Sequence, residues 1–129
     1  MARRSSPRPT DGELEILRIL WRLGTSSVRE VHQELNHTRP TGYTTALKLL
    51  QIMTEKGLVR RNESGRAHLY EAVDSREGTQ GSLIRDLAER AFGGSAAELV
   101  QRALSHAPAS SEELARIRKL IEDLERRES

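Results

Sequence analysis

Thr41, Thr44, Thr45 and Lys48, with Gln51 and Glu55, fall on one polar arc when residues 41–56 (TGYTTALKLLQIMTEK) are wound at about 100° per residue. Short hydroxyls and a single lysine near a helix start can approach a crowded polar surface closely. Donors of that kind suit phosphates and the base edges of a DNA major groove. The other arc holds Tyr43, Ala46, Leu47, Leu49, Leu50 and Met53, the apolar set that a core-facing helix requires. Taken alone, the polar arc would equally suit an ordinary solvated surface, so the flanking elements must decide its use.

Other chemistry is thinly supplied. The chain has no cysteine, which excludes disulfides, thiolate metal sites and a cysteine nucleophile. His32 and His37 lack cysteines or clustered carboxylates at ligand spacing, so they are expected at the surface and not on a metal. Ser, His and Asp occur without a glycine-rich phosphate loop or a nucleophile elbow, so neither catalysis nor a cofactor is expected.

A chain of 129 residues is one domain or two small ones, and 36% hydrophobic with 31% charged residues is the composition of a soluble globular protein. No apolar run approaches the ~20 residues of a membrane span, and no apolar stretch follows the basic residues of MARRSSPRPTDGE. No membrane insertion and a cytoplasmic location are therefore expected. Net charge is +2 but unevenly placed: residues 1–76 hold 13 Lys and Arg against 9 Asp and Glu, whereas residues 77–129 hold 8 against 10. The basic half is the candidate for a polyanion.

The elements that would position the polar arc can be read in order. Residues 1–9 form a disordered basic tail whose Arg3, Arg4 and Arg8 are either solvated or a minor-groove arm. Residues 10–76 form the unit that holds the arc. Thr10 and Glu13 make a capping box, an apolar stripe runs through Leu14, Leu17, Leu20 and Trp21, and Gly24 ends the first helix. Ser27 and Glu30 start a second, short helix that runs to Asn36, and the polar connection from His37 to Pro40 leads into the helix from Thr41. After the stop at Gly57, turn residues Glu63 to Arg66 between extended runs 58–62 and 67–72 predict a β-hairpin. A hairpin after a helix-turn-helix is a wing, and Arg60, Arg61 and Arg66 are then placed for the phosphate backbone. Ordinary surface arginines are the alternative.

Ser75 to Gly81 reads as a polar junction, and residues 77–129 as three helices broken at Gly93-Gly94 and at Pro108. Leu83, Leu87, Leu99 and Leu104 mark the apolar sides of the first two. Leu114, Ile117, Ile121 and Leu124 step by three and four along the last, a short heptad-like seam. Helices this short have little interior of their own, so pairing with a second copy would bury these faces, packing back on the same chain being the alternative. The expected fold is therefore mostly α: a winged helix-turn-helix with a small β-hairpin wing, then a three-helix dimerisation region.

In order and in residues the chain resembles the penicillinase-repressor family, the BlaI/MecI type of winged-helix regulators. The resemblance lies in Glu13-Leu14-Glu15-Ile16-Leu17 with Leu20-Trp21, Tyr43-Thr44-Thr45-Ala46-Leu47 with Leu50, Glu55-Lys56-Gly57-Leu58-Val59, Gly65-Arg66 with Tyr70, and Phe92-Gly93-Gly94-Ser95. It implies a homodimeric transcriptional repressor on a palindromic double-stranded DNA operator, controlling resistance to β-lactam and other cell-wall antibiotics. It also implies that Tyr43, Thr44, Thr45 and Lys48 lie at the DNA with Arg66 in the wing, and that a membrane sensor-protease system is a further partner.

There are three departures from the family pattern. Ile52 stands near the polar arc where members often have a basic residue, so the resemblance brings no phosphate contact there. Arg102-Ala103 stands where classical members have the Asn-Phe bond that the protease cuts, and the cysteine-rich tail of the copper-responsive branch is missing. A winged helix can also serve as a protein-docking module without nucleic acid, and the Thr44, Thr45 and Lys48 face would then contact protein.

Overall fold

The structure is a computed structural model that describes residues 8–63, 65 and 67–128; residues 1–7, with Arg3 and Arg4, and Arg66 lie outside that description. Helix α1 (Asp11–Leu23) starts from the expected capping box: Thr10 Oγ1 accepts the Glu13 N–H at 3.2 Å and Glu13 Oε1 accepts the Thr10 N–H at 2.8 Å. Ser27 and Glu30 repeat the device at the start of α2 (Val28–Thr38), at 3.2 and 2.9 Å. Two residues before α2, Ser26–Ser27, also form a short strand, β1. Such a strand is too short to leave a period in the sequence, and it was not expected.

The central helix, α3 (Tyr43–Lys56), begins two residues later than Thr41, because Gly42 is still extended at its N-cap. It ends where the glycine rule places its end. Gly57 has φ +81°, its N–H donates to Thr54 O at 3.2 Å, and the Leu58 N–H donates to Met53 O at 2.9 Å. This is a Schellman closure, and an L side chain at Gly57 would be strained. The chain then forms β2 (Val59–Asn62) and β3 (Leu69–Ala72), antiparallel from Val59↔Ala72 to Asn62↔Leu69. With β1 on the other edge of β3, the sheet order is β1-β3-β2.

The core lies where α1, α2 and α3 meet over this sheet. Ile16, Leu17 and Leu20 of α1, Val31 and Leu35 of α2, Ala46, Leu50 and Met53 of α3, and Leu58, Val59 and Tyr70 are all buried together. Each large side chain removed from water stabilises the fold by about 1.5–3 kcal/mol. Tyr43, assigned to the apolar arc by its angle, is 50% exposed. It occupies the first position of α3, before the turns that the core covers.

The chain divides into two compact units, Met1–Leu83 and Ile84–Ser129. The division falls within α4 (Arg76–Ala91), and the segment read as a polar junction is helical from Arg76. Ser75 Oγ accepts the Gly78 N–H at 2.9 Å and caps the helix, while Gly78 and Gly81 weaken it by about 1 kcal/mol each without breaking it. In the second unit, Gly93 and Gly94 take positive φ after α4, and Ser95 and Ser110 cap α5 (Ala96–His106) and α6 (Ser111–Glu128). Ala88 is the only hydrophobic residue fully buried among the described residues of this unit. Leu87, Leu104, Leu114, Ile121 and Leu124 are 39–49% exposed, and Leu83, Leu99 and Ile117 are half-buried.

Candidate nucleic-acid interface

The start of α3 is held by α2. The Asn36 carboxamide brackets Thr41: its Oδ1 accepts the Thr41 N–H at 3.0 Å, and its Nδ2 donates to Thr41 O at 3.0 Å and to His32 O at 2.8 Å. His32 Nε2 lies 2.7 Å from the same Thr41 carbonyl. A carbonyl only accepts, so Nε2 carries the hydrogen. The His32 ring also meets Tyr43 edge to face, centroids 5.7 Å apart at 83°. His32, expected to be an ordinary surface residue, is thus half-buried and bonded to the turn.

Beyond this turn α3 presents Tyr43, Thr44, Thr45, Lys48, Gln51 and Ile52 to solvent, while Thr41 is half-buried. The expected polar arc is therefore not covered by its own unit. Lys48 has no carboxylate partner among the described residues, so its charge is available. Ile52, 36% exposed, is an apolar residue on the same exposed side.

The wing arginines are differently placed. Arg60 pairs across the strands with Glu71 and Arg61 with Tyr70, so strand alternation puts the two arginines on opposite faces of the hairpin. Each already holds a carboxylate: Arg60 Nε lies 3.1 Å from Glu71, and Arg61 Nη2 2.8 Å from Glu63. Between the wing, α2 and α3 runs a cleft of about 450 Å³, which brings Arg29 and His68 beside Tyr43 and Ser27. Arg29 and His68 were not singled out in the sequence. Arg29 lies on α2 and His68 just before β3, and no local spacing links them.

A helix-turn-helix packed on a third helix and followed by an antiparallel hairpin is a winged helix-turn-helix. The sequence profile of the family described as penicillinase repressor matches residues 9–123, and the chain belongs to that family. It is 35% identical over 83 residues to the transcriptional regulator BlaI of Mycobacterium tuberculosis, covering 62% of this chain. That match spans only 60% of the relative's own length. The penicillinase repressor of Bacillus licheniformis is 22% identical over 117 residues, 91% of each chain. Among solved structures, the monomeric form of Bacillus licheniformis BlaI in complex with the blaP half-operator aligns with a TM-score of 0.50 at 25% identity, over 57% of this chain and 89% of that one.

Proposed function

We propose that this chain is a transcriptional repressor that binds a palindromic DNA operator as a homodimer and controls genes for resistance to β-lactams and related cell-wall stress. The observation that carries this reading is the uncovered arc Thr44, Thr45 and Lys48 on α3, beside a wing. The likeness to a chain solved on a half-operator supports it. Lysine and arginine contacts to phosphates supply salt-dependent affinity, and the hydroxyls of α3, with Tyr43, supply base preference. Thr41 anchors the turn, Arg60 and Arg61 reach phosphates by exchanging their carboxylate partners, and Arg66, outside the described residues, is the further phosphate contact that family likeness implies.

The homodimer is supported by the second unit, whose helices leave Leu87, Leu104, Leu114, Ile121 and Leu124 open to solvent. Two copies related by a twofold axis would read half-sites separated by whole helical turns, ~34 Å each. Repression follows where the site overlaps a promoter. Among the described residues no helix is long and apolar enough to cross a membrane, which accords with a cytoplasmic regulator. A membrane sensor-protease acting as in classical members would meet Arg102-Ala103 within α5, a helix that must unwind before cleavage.

The test is a nuclease-protection map of the DNA upstream of the gene, followed by competition between the protected duplex and a scrambled duplex. Preference for the protected duplex is expected, with Lys48→Ala weakening binding and lowering the salt slope by about one. Equal binding to both duplexes would overturn the reading and favour a protein-docking module.

A further inference from the structure

Among the described residues, five of the six helices are capped at their N-terminus by a side chain: Thr10, Ser27, Ser75, Ser95 and Ser110 each accept a first-turn N–H. The exception is α3, whose N-cap is Gly42 and has no side chain to offer. A glycine N-cap costs only about a few tenths of a kcal/mol against serine or threonine, but it offers no side-chain hydrogen bond to fix the first turn in place. Yet the first turn of α3 holds Tyr43, Thr44 and Thr45, the residues whose placement decides base readout. Something else must hold them.

We propose that His32 and Asn36 are positioning residues for DNA recognition, fixing the Thr41 peptide from α2 and, through it, the start and rotation of α3. The inference rests on the DNA-binding reading above. His32 and Asn36 stand four residues apart, on one face of α2. Asn36 supplies both a donor and an acceptor to the same residue, as a neighbouring strand would, and His32 adds a second donor to the carbonyl. Three hydrogen bonds thus converge on one residue between Pro40 and Gly42, in a turn otherwise held by the Thr41 hydroxyl on Arg39 O and by the Arg39–Glu15 ion pair. The His32 ring then meets Tyr43, so the same side chain sets both the turn and the first recognition residue.

This division leaves the exposed end of α3 free of a cap that would itself compete for the groove. It also separates two properties that a phosphate-binding residue would join. Loss of His32 and Asn36 should misplace base contacts while leaving the charge that drives non-specific binding unchanged. A misplaced helix loses discrimination, not attraction.

The experiment titrates the full chain with the nuclease-protected duplex and with a scrambled duplex of equal length, for wild type, the His32→Ala/Asn36→Ala double variant and His32→Gln. Gln places its amide nitrogen where His32 has Nε2, so it keeps the donor. The double variant is expected to lose preference for the protected duplex by about tenfold or more, the scale of one lost base contact. Its affinity for scrambled DNA should hold, and His32→Gln should retain most of the preference. If the double variant does not fold, judged by circular dichroism, His32→Ala alone enters the same titration. Imidazole nitrogen shifts should show the Nε2–H tautomer, and the Thr41 amide should exchange faster in Asn36→Ala. Retained preference in the alanine variants, or a scrambled-duplex affinity that falls in parallel, overturns the proposal. Absence of preference in the wild type overturns the DNA-binding reading itself, and is distinguished by appearing without any substitution.

Discussion

Lys56 Nζ sits 2.7 Å from Glu13 Oε1, and the same carboxylate oxygen accepts the Thr10 N–H. The pair joins the first turn of α1 to the last residue of α3, across 43 positions of sequence. Only 3% of the Glu13 side chain is exposed, against 21% for Lys56. Burial alone pushes the Glu13 carboxyl up, but hydrogen bonds from Lys56 and Thr10, with the lysine charge, outweigh it and hold the group below its ordinary value. An acidic group in a first turn and a cation in a last turn also complement the two helix dipoles. The far end of α3 is therefore tied to α1 by charge, as its near end is tied to α2 by hydrogen bonds.

Lys56→Met should destabilise the first unit by about 3 kcal/mol, because it leaves a buried carboxylate with only backbone and hydroxyl partners. The double variant Glu13→Gln/Lys56→Met should recover part of that loss, since no unpaired charge remains. Urea unfolding followed at Trp21, the only tryptophan, measures both from the midpoint. Equal losses in the single and double variants would show that the pair contributes through packing and not charge.

The same pair sets a pH dependence. Because the folded-state pKa of Glu13 is depressed, its contribution is complete above the unfolded value, about 4.3 for a glutamate, and is lost as the pH falls through the lower folded value. Glu34 beside Arg22, Glu77 beside its own N–H and Arg76, and Glu113 beside Ser110 are shifted the same way, so wild-type stability alone does not isolate one group. Glu13→Gln should show a shallower decline than wild type in this acid window and an unchanged slope near neutrality. Parallel curves for the two proteins would contradict the assignment.

Capping boxes at Thr10-Glu13 and Ser27-Glu30, the stop at Gly57 and the hairpin were legible in the sequence because each is decided within a few residues. The arc of α3 was legible because a period of 3.6 is local too. What escaped was decided at a distance. Glu13 read only as a capping residue, since nothing near it announces Lys56. His32 and Asn36 share a helical spacing visible in the chain, yet their common target at Thr41 depends on how α2 turns into α3. Ser26–Ser27 became a strand only because β3 offered it an edge, and Tyr43 left the core because α3 starts at that residue.

In the wing, Glu71 holds the Arg60 guanidinium that the proposed interface would offer to a phosphate. Glu71→Gln removes one negative charge and frees the guanidinium, 61% exposed, for a phosphate. Affinity for operator DNA should rise, with a salt slope steeper by up to about one contact. Stability should change by less than about 1 kcal/mol, as for exposed ion pairs generally. Anisotropy titrations at several salt concentrations measure the slope; an unchanged slope would remove Arg60 from the interface.

The last helix carries a broader stripe than its heptad-like spacing marked. Leu120, 57% exposed, adjoins Leu114, Ile117, Ile121 and Leu124 on one side of α6, an arc of about 120°. Water-exposed leucines and isoleucines in such an arc gain about 1.5–3 kcal/mol each when fully covered. In the proposed dimer, Ile121→Glu would put a charge into the seam between copies, and the dissociation constant should rise a hundredfold or more, about 2.8 kcal/mol. Lys119→Ala, which lowers the charge equally from the opposite side of the helix, should leave assembly unchanged. Sedimentation velocity over a dilution series reads both. If the two variants dissociate alike, or neither does, the contact between copies lies elsewhere than along α6, and operator affinity should then be unaffected by Ile121→Glu as well.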